Sequence, residues 1–255
     1  MLKKIIRKIT KKKIGFYYKY LNYKDALLNS DGYDNPNLLN HLYKQSILAI
    51  KKNKYIQDGI IYEDPQINKF FINYLCNNYI LKKNFKFLKK IKILDYGGSF
   101  ANQYFAIKNF LNLRFDWNII EQKKIFKLAS KSQLFKKIKF NYQIGRIKNF
   151  DIVLFNTSFQ YLPNPLITFN NLKKKSRIFI FTNIILTKKN YHFLRNEFPD
   201  PKVYKYSYPC WFFSKKLLKN EVFKSFKIKF EQVENPPYKL NDYENYYNIL
   251  LERIN

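Results

Sequence analysis

The stretch Ile93-Leu94-Asp95-Tyr96-Gly97-Gly98-Ser99-Phe100-Ala101 decides the fold. It is typical of a short apolar strand that ends at an acid, followed by a glycine turn and the start of a helix. In such a unit the glycines let the backbone approach a ligand, and the helix N-terminus offers free N–H groups. The dinucleotide fingerprint G-x-G-x-x-G is not met, and the looser pattern D-x-G-x-small-x-small, with Ser99 and Ala101 as small residues, also fits an ordinary turn.

Similar apolar runs recur along the C-terminal two thirds of the chain, with helix-compatible stretches between them. The runs are residues 91–95, 117–120, 151–155 and 177–181. Strands that are buried on both faces and alternate with helices indicate an α/β fold with a mostly parallel sheet. Two later runs, residues 226–230 and 246–251, are predicted to close this sheet as antiparallel strands.

Polar residues follow three of the predicted strands at the edge where ligands bind in open α/β sheets. Asp95 ends the first strand, and Glu121 ends the second, where its carboxylate could accept both hydroxyls of a ribose. An exposed acid at a strand end is the alternative for Glu121. The third strand is followed by Asn156-Thr157-Ser158-Phe159-Gln160-Tyr161-Leu162. Together the three segments predict a site for a nucleoside-bearing cofactor.

The N-terminal third has a different pattern. Residues 1–22 form a basic segment, residues 23–88 a helical region, and residues 89–255 the α/β domain. Helices are expected at residues 25–28, 37–50 and 66–81. Apolar residues at helical spacing among the lysines of residues 1–14 predict a short amphipathic helix that lies on anionic lipid. A frayed, solvated terminus explains this segment equally well. Lysines interrupt the apolar start too often for a secretory signal.

The charge and cysteine content restrict the possible partners. Lys and Arg number 48 against 18 acids, a formal net charge of +30, and such a charge suits nucleic acid or an anionic membrane. However, only six of the 48 are arginines, the residue favoured for bidentate phosphate recognition, and the lysines are spread along the chain. We attribute the charge mainly to an AT-rich coding genome and expect no nucleic-acid partner. Cys76 and Cys210 are too far apart for a disulfide framework or a cysteine-rich metal site, and we expect a cytoplasmic protein without a metal.

Five short motifs occur in a specific order. They are D-G-Y-D at residues 31–34, D-Y-G-G-S at 95–99, W-N-I-I-E-Q at 117–122, S-F-Q-Y-L at 158–162 and S-Y-P-C-W-F-F-S at 207–214. In this order they resemble a bacterial family of class I S-adenosylmethionine-dependent methyltransferases encoded in surface-polysaccharide and lipopolysaccharide gene clusters. The resemblance extends over residues 23–230. It implies a seven-stranded, mostly parallel Rossmann-like sheet with a helical N-terminal extension, and S-adenosylmethionine as cofactor.

The resemblance also implies roles for individual residues. Those expected at the cofactor are Asp95, Gly97, Gly98, Ser99, Glu121, Gln122, Asn156 and Ser158. Within this set, the two glycines would border the methionine moiety, Glu121 would hold the ribose and Gln122 would lie near the adenine. Asn156 and Ser158 would face the sulfonium and the methyl acceptor. A sugar or glycan precursor at the cytoplasmic face of the membrane is the acceptor that the resemblance implies.

The acceptor side offers fewer indications. Tyr161, Tyr208 and Trp211 could line a sugar, because aromatic faces stack on pyranose C–H surfaces, although Tyr208 and Trp211 could equally form a structural corner. His192 and Tyr208 are the candidates for a catalytic base, and an exposed loop histidine is the alternative for His192. Thr182 and Asn183 stand where the family has an acid and an arginine. Two other functions stay open. The net charge of +30 leaves an RNA-associated methyltransferase or RNA-binding module as one alternative, and Thr182 and Asn183 leave an inactive scaffold with the cofactor fold as the other.

Overall fold

A computed structural model describes residues 14–57, 59–64, 69–80, 90–108, 111, 113–145, 149–200, 206–234, 240 and 244–254 of the 255-residue chain. The amphipathic helix expected for residues 1–14 lies almost entirely outside these residues. None of the helices within them has the length and apolar character needed to cross a membrane.

The structure contains twelve strands among these residues. They are β1 (Gly15–Tyr20), β2 (Tyr55–Gln57), β3 (Ile60–Tyr62), β4 (Ile91–Tyr96), β5 (Phe115–Ile120), β6 (Lys139–Asn141), β7 (Phe150–Asn156), β8 (Ser176–Thr187), β9 (Phe193–Phe198), β10 (Tyr208–Ser214), β11 (Phe226–Glu234) and β12 (Glu244–Arg253). The helices are α1 (Tyr23–Leu28), α2 (Pro36–Lys51), α3 (Lys69–Leu75), α4 (Asn102–Lys108), α5 (Lys123–Ala129), α6 (Pro165–Leu172) and α7 (Lys215–Leu217).

Seven strands form the central sheet in the order β6-β5-β4-β7-β8-β12-β11. Strands β6, β5, β4, β7 and β8 are parallel, and β12 is antiparallel to both β8 and β11. The expectation of a mostly parallel α/β sheet is confirmed, and the two late runs form the antiparallel pair β11 and β12, of which only β12 runs against the other strands. Because the parallel strands run in one direction, their carboxyl ends, with the polar residues that follow them, lie along one edge.

Both faces of the sheet are buried, which explains why its strands are continuous apolar runs. Ile93 and Ile152 point into the core on the side of α2–α5, whereas Leu94 and Val153 point into the core on the side of α6. Neighbouring residues on each strand thus alternate between two hydrophobic layers, as strand geometry requires.

Three further strands extend the sheet to ten. Strand β1 pairs with β9, β9 pairs with β10, both antiparallel, and β10 joins the end of β8 through Phe213 and Ser214. These three strands form an added unit. In it, β9 and β10 come from the segment between β8 and β11, and β1 comes from the N-terminal segment. The unit lies beyond the carboxyl end of β7, where it can form one wall of a site.

Side-chain caps fix the start of the first two helices. Asn22 accepts a hydrogen bond from the amide of Asp25 at 2.9 Å and begins α1. Asn35 accepts one from the amide of Asn37 at 2.9 Å and begins α2, with Pro36 at the first helical position. Asparagine caps and an N-terminal proline are strong helix-start signals, so these two boundaries follow from the local sequence.

The segment between α1 and α2 is docked on β9 and the segment before β10. The Asp31 carboxylate accepts hydrogen bonds from the amide and the hydroxyl of Ser207, both at 2.9 Å. The Asn196 side chain donates to the carbonyls of Ala26 and Asn29 at 3.1 and 3.0 Å. The D-G-Y-D motif and the S-Y-P-x-W-F motif, remote in sequence, therefore form one structural unit.

The N-terminal region differs from the expectation in three places. Strand β1 lies within the expected basic segment 1–22, where aromatic residues favour pairing with β9. Strands β2 and β3 form an antiparallel hairpin within the expected helical region, and Gly59, directly before β3, has a φ of +76°. Within the expected helix at residues 66–81, the described residues form α3 and then change to a π-helical turn over Cys76–Ile80.

We expect Phe169→Ala to lower the free energy of unfolding by about 3–5 kcal/mol, because the substitution leaves a cavity in the core. Phe169 on α6 is fully buried, and its ring contacts the rings of Phe179, Phe223 and Phe226. Urea unfolding measures the change. The control is Ile167→Ala on the same helix, which is 61% exposed and should change stability by less than about 0.5 kcal/mol. Equal losses in the two variants would contradict this packing.

Candidate functional site

A cavity of about 1100 Å³ lies at the carboxyl ends of β4, β5, β7 and β8. On one side it is lined by the turns that follow β4, β5 and β7. On the other side the lining comes from α1, the D-G-Y-D segment, β9 and β10. The cavity is thus placed where open α/β sheets bind ligands, and its two halves come from different parts of the chain.

The turn after β4 is packed too tightly for side chains at its two glycines. A Cβ atom on Gly97, whose φ is +75°, would lie 2.6 Å from Cβ of Ser158. A Cβ atom on Gly98 would lie 2.4 Å from the Oδ2 atom of Asp95. The glycine pair therefore lets the turn lie directly on the buried Asp95 and against the turn that follows β7.

Four residues other than glycine adopt left-handed backbone conformations along this edge. Ser99, Ala101, Thr157 and Asn183 have φ values of +50°, +62°, +52° and +52°. Left-handed backbone is disfavoured for all of them and most of all for the β-branched threonine. Ser99 and Ala101 occupy the two "small" positions of the sequence pattern, so their φ values explain why the pattern needs small residues there. Such strain is concentrated at functional sites in many proteins.

Glu121 joins the turn that follows β4 to the turn that follows β5. Its Oε1 atom accepts a hydrogen bond from the amide of Ser99 at 2.9 Å, and its Oε2 atom accepts one from the amide of Gln122 at 2.9 Å. Burial raises the pKa of Glu121, and these two backbone hydrogen bonds oppose the rise. A carboxylate has about four acceptor positions, so two remain for a ligand in the cavity. The carboxylate expected at the tip of the second strand does face the glycine turn.

Asp95 lies fully buried beneath the turn. Its Oδ2 atom accepts a hydrogen bond from the indole N–H of Trp117 at 3.3 Å. Burial raises the pKa of Asp95 to about 7, the Trp117 hydrogen bond lowers it, and the Glu121 charge raises it further. The buried carboxyl is therefore partly protonated near neutral pH.

Three buried oxygens beside the glycine turn have no hydrogen-bond partner among the described residues. They are the Oδ1 atom of Asp95, the Oδ1 atom of Asn102 and the Oε1 atom of Gln103, and all three residues line the cavity. Buried acceptors are normally satisfied, so these three oxygens are available to accept hydrogen bonds from the N–H or O–H groups of a ligand.

A hydrogen-bond network holds the turn after β7. The Asn156 Oδ1 atom accepts from the Thr182 hydroxyl at 2.7 Å, and the Asn183 amide group donates to the Thr157 hydroxyl at 3.0 Å. The Ser158 hydroxyl donates to the carbonyl of Tyr96. Thr182 and Asn183, which stand where the sequence resemblance implies an acid and an arginine, thus support this turn. Strand β8 continues past them to Thr187, beyond its expected end.

The opposite side of the cavity is aromatic. Three tyrosine rings that line it contact one another, and we refer to Tyr33, Tyr161 and Tyr208 as the tyrosine wall. The centroid distances are 5.0 Å between Tyr33 and Tyr208, 5.2 Å between Tyr161 and Tyr208, and 6.3 Å between Tyr33 and Tyr161. The Tyr161 hydroxyl donates to the Oε2 atom of Glu197 at 2.7 Å. Burial, followed by the Glu197 charge, raises the pKa of Tyr161 well above its ordinary value, so Tyr161 stays protonated.

Two residues predicted for this side lie elsewhere. Trp211 is absent from the described lining; its indole N–H donates to the carbonyl of Leu162 at 3.1 Å and its ring stacks on Phe213. His192 is also absent from that lining. Its Nδ1 atom accepts from the amide of Ser214 at 2.9 Å, and burial lowers its pKa. Because both side chains are engaged in holding β10, Trp211 is a structural residue and His192 is not placed to act as a base.

The charge of the lining is opposite to that of the chain. One lysine, Lys69, and no arginine are found among the described lining residues. The acids in the lining are Asp34, Asp95, Glu121, Glu197 and Glu234. Asp34, at the entrance, pairs with Lys124 of α5 at 2.9 Å. A cavity with this excess of carboxylates attracts cationic ligands and repels phosphates. No three His, Cys, Asp or Glu side chains in the described part of the chain converge on a metal position.

Several lining residues were not predicted from the sequence. Tyr142 follows β6, which has only three residues and so gives no periodic signal. Asn102 and Gln103 begin α4, directly after the glycine turn, and polar residues at that position could have been noted. Glu197 was missed because β9 belongs to the added unit, whose place beside the cavity depends on its pairing with β1 and β10.

The chain was compared with known proteins. No protein-family model matches the sequence, and no curated protein matches it either. Among solved structures, the N-terminal domain of EvdMO1 in the presence of S-adenosylhomocysteine (SAH) and D-fucose has a TM-score of 0.53 at 11% sequence identity, over 88% of this chain and 99% of that chain. The same domain with SAH bound has a TM-score of 0.52 at 11% identity, over 83% and 97%.

A third solved structure is an S-adenosylmethionine-dependent methyltransferase from Clostridium acetobutylicum ATCC 824. It has a TM-score of 0.48 at 12% identity, over 72% of this chain and 89% of that chain. The likeness to the EvdMO1 domain, with a TM-score of 0.53 over 88% of this chain, shows a shared fold with a mostly parallel sheet. The chain has the class I methyltransferase fold. The expected seven-stranded core is therefore confirmed, with β1, β9 and β10 added to it.

We expect Asp95→Asn to change the pH dependence of stability. The unfolded aspartate loses its proton near pH 4, whereas the folded one does so near pH 7. The native state therefore binds more protons between these values, and the Asp95 contribution to the free energy of unfolding falls as the pH rises through this window. Asparagine does not titrate. The free energy of unfolding of the Asp95→Asn variant, relative to that of the wild type, should therefore rise by on the order of 2–3 kcal/mol between pH 4.5 and pH 8, as measured by urea unfolding. A difference that is constant with pH would contradict the assignment.

Proposed function

We propose that the chain is an S-adenosylmethionine-dependent methyltransferase that modifies a sugar or glycan precursor in surface-polysaccharide biosynthesis. The observation that carries the proposal is the position of Glu121. Its carboxylate lies at the tip of β5 and accepts from the amide of Ser99, beside a cavity that can hold a nucleoside. This is the arrangement in which a strand-end carboxylate holds a ribose.

The residues present fit this cofactor on three grounds. Glu121 has two acceptor positions in excess of its backbone hydrogen bonds, which suits the two ribose hydroxyls. The unpaired oxygens of Asp95, Asn102 and Gln103 suit the N–H groups of an ammonium. The excess of carboxylates in the lining suits a ligand that carries a sulfonium and an ammonium. Gln122 and Tyr142 would then border the adenine.

When bound, the cofactor supplies a methyl group on a positively charged sulfur. The chain's own contribution is to position the acceptor and to remove its proton. The turn after β7, held by Thr182 and Asn183, forms the boundary between the cofactor side and the tyrosine wall. The two sides meet at Asn156, Thr157 and Ser158, and the methyl acceptor would lie next to this turn.

A sugar acceptor is supported by the tyrosine wall, because aromatic faces pack on the C–H surfaces of pyranoses. EvdMO1, whose N-terminal domain has the same fold, was crystallised in the presence of D-fucose. An RNA acceptor is disfavoured by the five carboxylates of the lining, which would repel phosphates. Salt-dependent RNA binding of the full chain, with a steep fall in affinity, would argue for the RNA alternative.

Binding of the cofactor product tests the proposal directly. Calorimetric titration with SAH should show binding by the wild type, and Glu121→Gln should weaken it by roughly 30- to 100-fold, because a charged acceptor for two hydroxyls is lost. The matched control is Glu231→Gln, because Glu231 lies on β11 and pairs with Lys215 and Lys219 outside the cavity lining. No heat and no thermal shift with the wild type would exclude methyl transfer and leave the inactive-scaffold alternative.

We further propose that residues 1–14 place the enzyme at the cytoplasmic face of an anionic membrane. The proposal rests on their apolar residues at helical spacing and on their lysines. The full chain should pellet with vesicles that contain anionic lipid more than with neutral vesicles. Replacement of the lysines in this segment by glutamine should abolish the difference, because each contributes about 1 kcal/mol near the surface. Equal pelleting of both proteins would contradict the proposal.

A further inference from the structure

The turn after β7 presents two polar side chains to the cavity, and a buried threonine supports them from behind. Asn156 and Thr157 belong to the cavity lining. Thr182, on the neighbouring strand β8, is 1% exposed and is absent from the described lining. Its hydroxyl contacts both residues of the turn, so Thr182 can act on a ligand only through them.

The hydroxyl of Thr182 sets the orientation of the Asn156 amide group. The hydroxyl oxygen accepts a hydrogen bond from the backbone amide of Thr157 at 3.1 Å, and the hydroxyl donates to the Oδ1 atom of Asn156 at 2.7 Å. Among the described residues no other group accepts from this hydroxyl. If the amide group were turned over, a buried O–H group would be left without an acceptor, which is unfavourable. The oxygen of Asn156 is therefore held toward Thr182.

The other end of the amide group, the Nδ2 atom of Asn156, faces the cavity. This nitrogen has no hydrogen-bond partner among the described residues and is not one of their buried unpaired atoms, so it is accessible from the cavity that Asn156 lines. The hydroxyl of Thr157 is arranged similarly, because its oxygen accepts from the side chain of Asn183 at 3.0 Å and its proton is left for a ligand. Both side chains of the turn thus offer hydrogen-bond donors.

We infer that Thr182 is a positioning residue that makes the turn after β7 specific for an oxygen, so that the enzyme methylates a hydroxyl group and not an amine. The inference rests on the proposed methyltransferase function, in which the methyl acceptor lies next to this turn. A hydroxyl oxygen has two lone pairs, one for a hydrogen bond from Asn156 and one for attack on the methyl group. An amine nitrogen has a single lone pair, for which the N–H groups of Asn156 would compete with the methyl group.

The reaction that this arrangement supports forms a methyl ether. A lone pair of the hydroxyl oxygen forms the O–C bond, the C–S bond breaks with its electron pair left on sulfur, and the hydroxyl proton passes to water. Hydrogen bonds from Asn156 and Thr157 stabilise the negative charge that develops on the oxygen as the proton leaves. The Oδ1 atom of Asn183, which has no partner among the described residues, is available to accept from the hydroxyl before the reaction.

Two ligands that differ by one oxygen test the inference without turnover. The sulfoxide of SAH carries an oxygen where the cofactor carries its methyl group, whereas SAH carries nothing there. In calorimetric titrations of the wild type, the tighter of the two sulfoxide epimers should bind at least about 5-fold more tightly than SAH, since 5-fold corresponds to about 1 kcal/mol, the usual contribution of one hydrogen bond. A smaller advantage, or weaker binding of the sulfoxide, would overturn the inference.

Variants on β8 locate the effect. Thr182→Val keeps the volume of the side chain but frees the Asn156 amide group to turn, so the sulfoxide should lose its advantage over SAH. Thr182→Ser retains the hydroxyl and should keep the advantage. The matched control is Thr187→Val, because the equally buried Thr187 hydroxyl accepts from the amide of Lys189 and is absent from the described lining. An undiminished sulfoxide advantage in Thr182→Val would overturn the role of Thr182.

A further variant decides the case in which Thr182→Val does not fold. Asn156→Ala removes the donor itself and should abolish the sulfoxide advantage, and an unchanged advantage would overturn the inference. Failure of the wild type to bind SAH would instead overturn the proposed function, so the two failures are distinguishable.

Discussion

The hydrogen bond between the Ser99 amide and the Glu121 carboxylate is the interaction on which the site depends. It joins the turns that follow two adjacent parallel strands, β4 and β5. The hydrogen bond restrains a turn in which Ser99 is in a left-handed conformation and Gly98 lies directly on Asp95. The carboxylate therefore organises the cavity before any ligand arrives, and it retains acceptor positions for one.

The molecule separates its charges by position. The chain carries a formal net charge of +30, yet the cavity lining holds five acids and one lysine among the described residues. A protein that used its lysines to bind a polyanion in the cleft would show the opposite arrangement. The positive charge thus belongs to the solvent-exposed surface, in agreement with a compositional origin. The cavity chemistry is set by a small number of carboxylates whose pKa values burial raises.

The sequence located the glycine-turn side of the cavity far better than the side with the tyrosine wall. Asp95, Gly97, Gly98 and Glu121 belong to contiguous strand–turn–helix units, in which position along the chain determines position in space. Glu197 and the tyrosine wall could not be located in this way, because their juxtaposition depends on which strands pair, and β1 with β9 is a pairing between distant segments. Of the aromatic motif at residues 207–214, which contains Trp211, only Tyr208 is among the described residues that line the cavity.

The docking of Asp31 on Ser207 connects residues that are 176 positions apart in the chain. Closing so long a loop costs entropy that must be recovered from contacts made late in folding, and contacts between distant residues slow folding. During synthesis, Ser207 leaves the ribosome long after β4, β5 and β7. A nascent chain that ends before Ser207 already contains every residue of the glycine turn and its carboxylate partner, but it has only one wall of the cavity. The tyrosine wall, which needs Tyr208, is therefore completed after the glycine turn and its carboxylate partner.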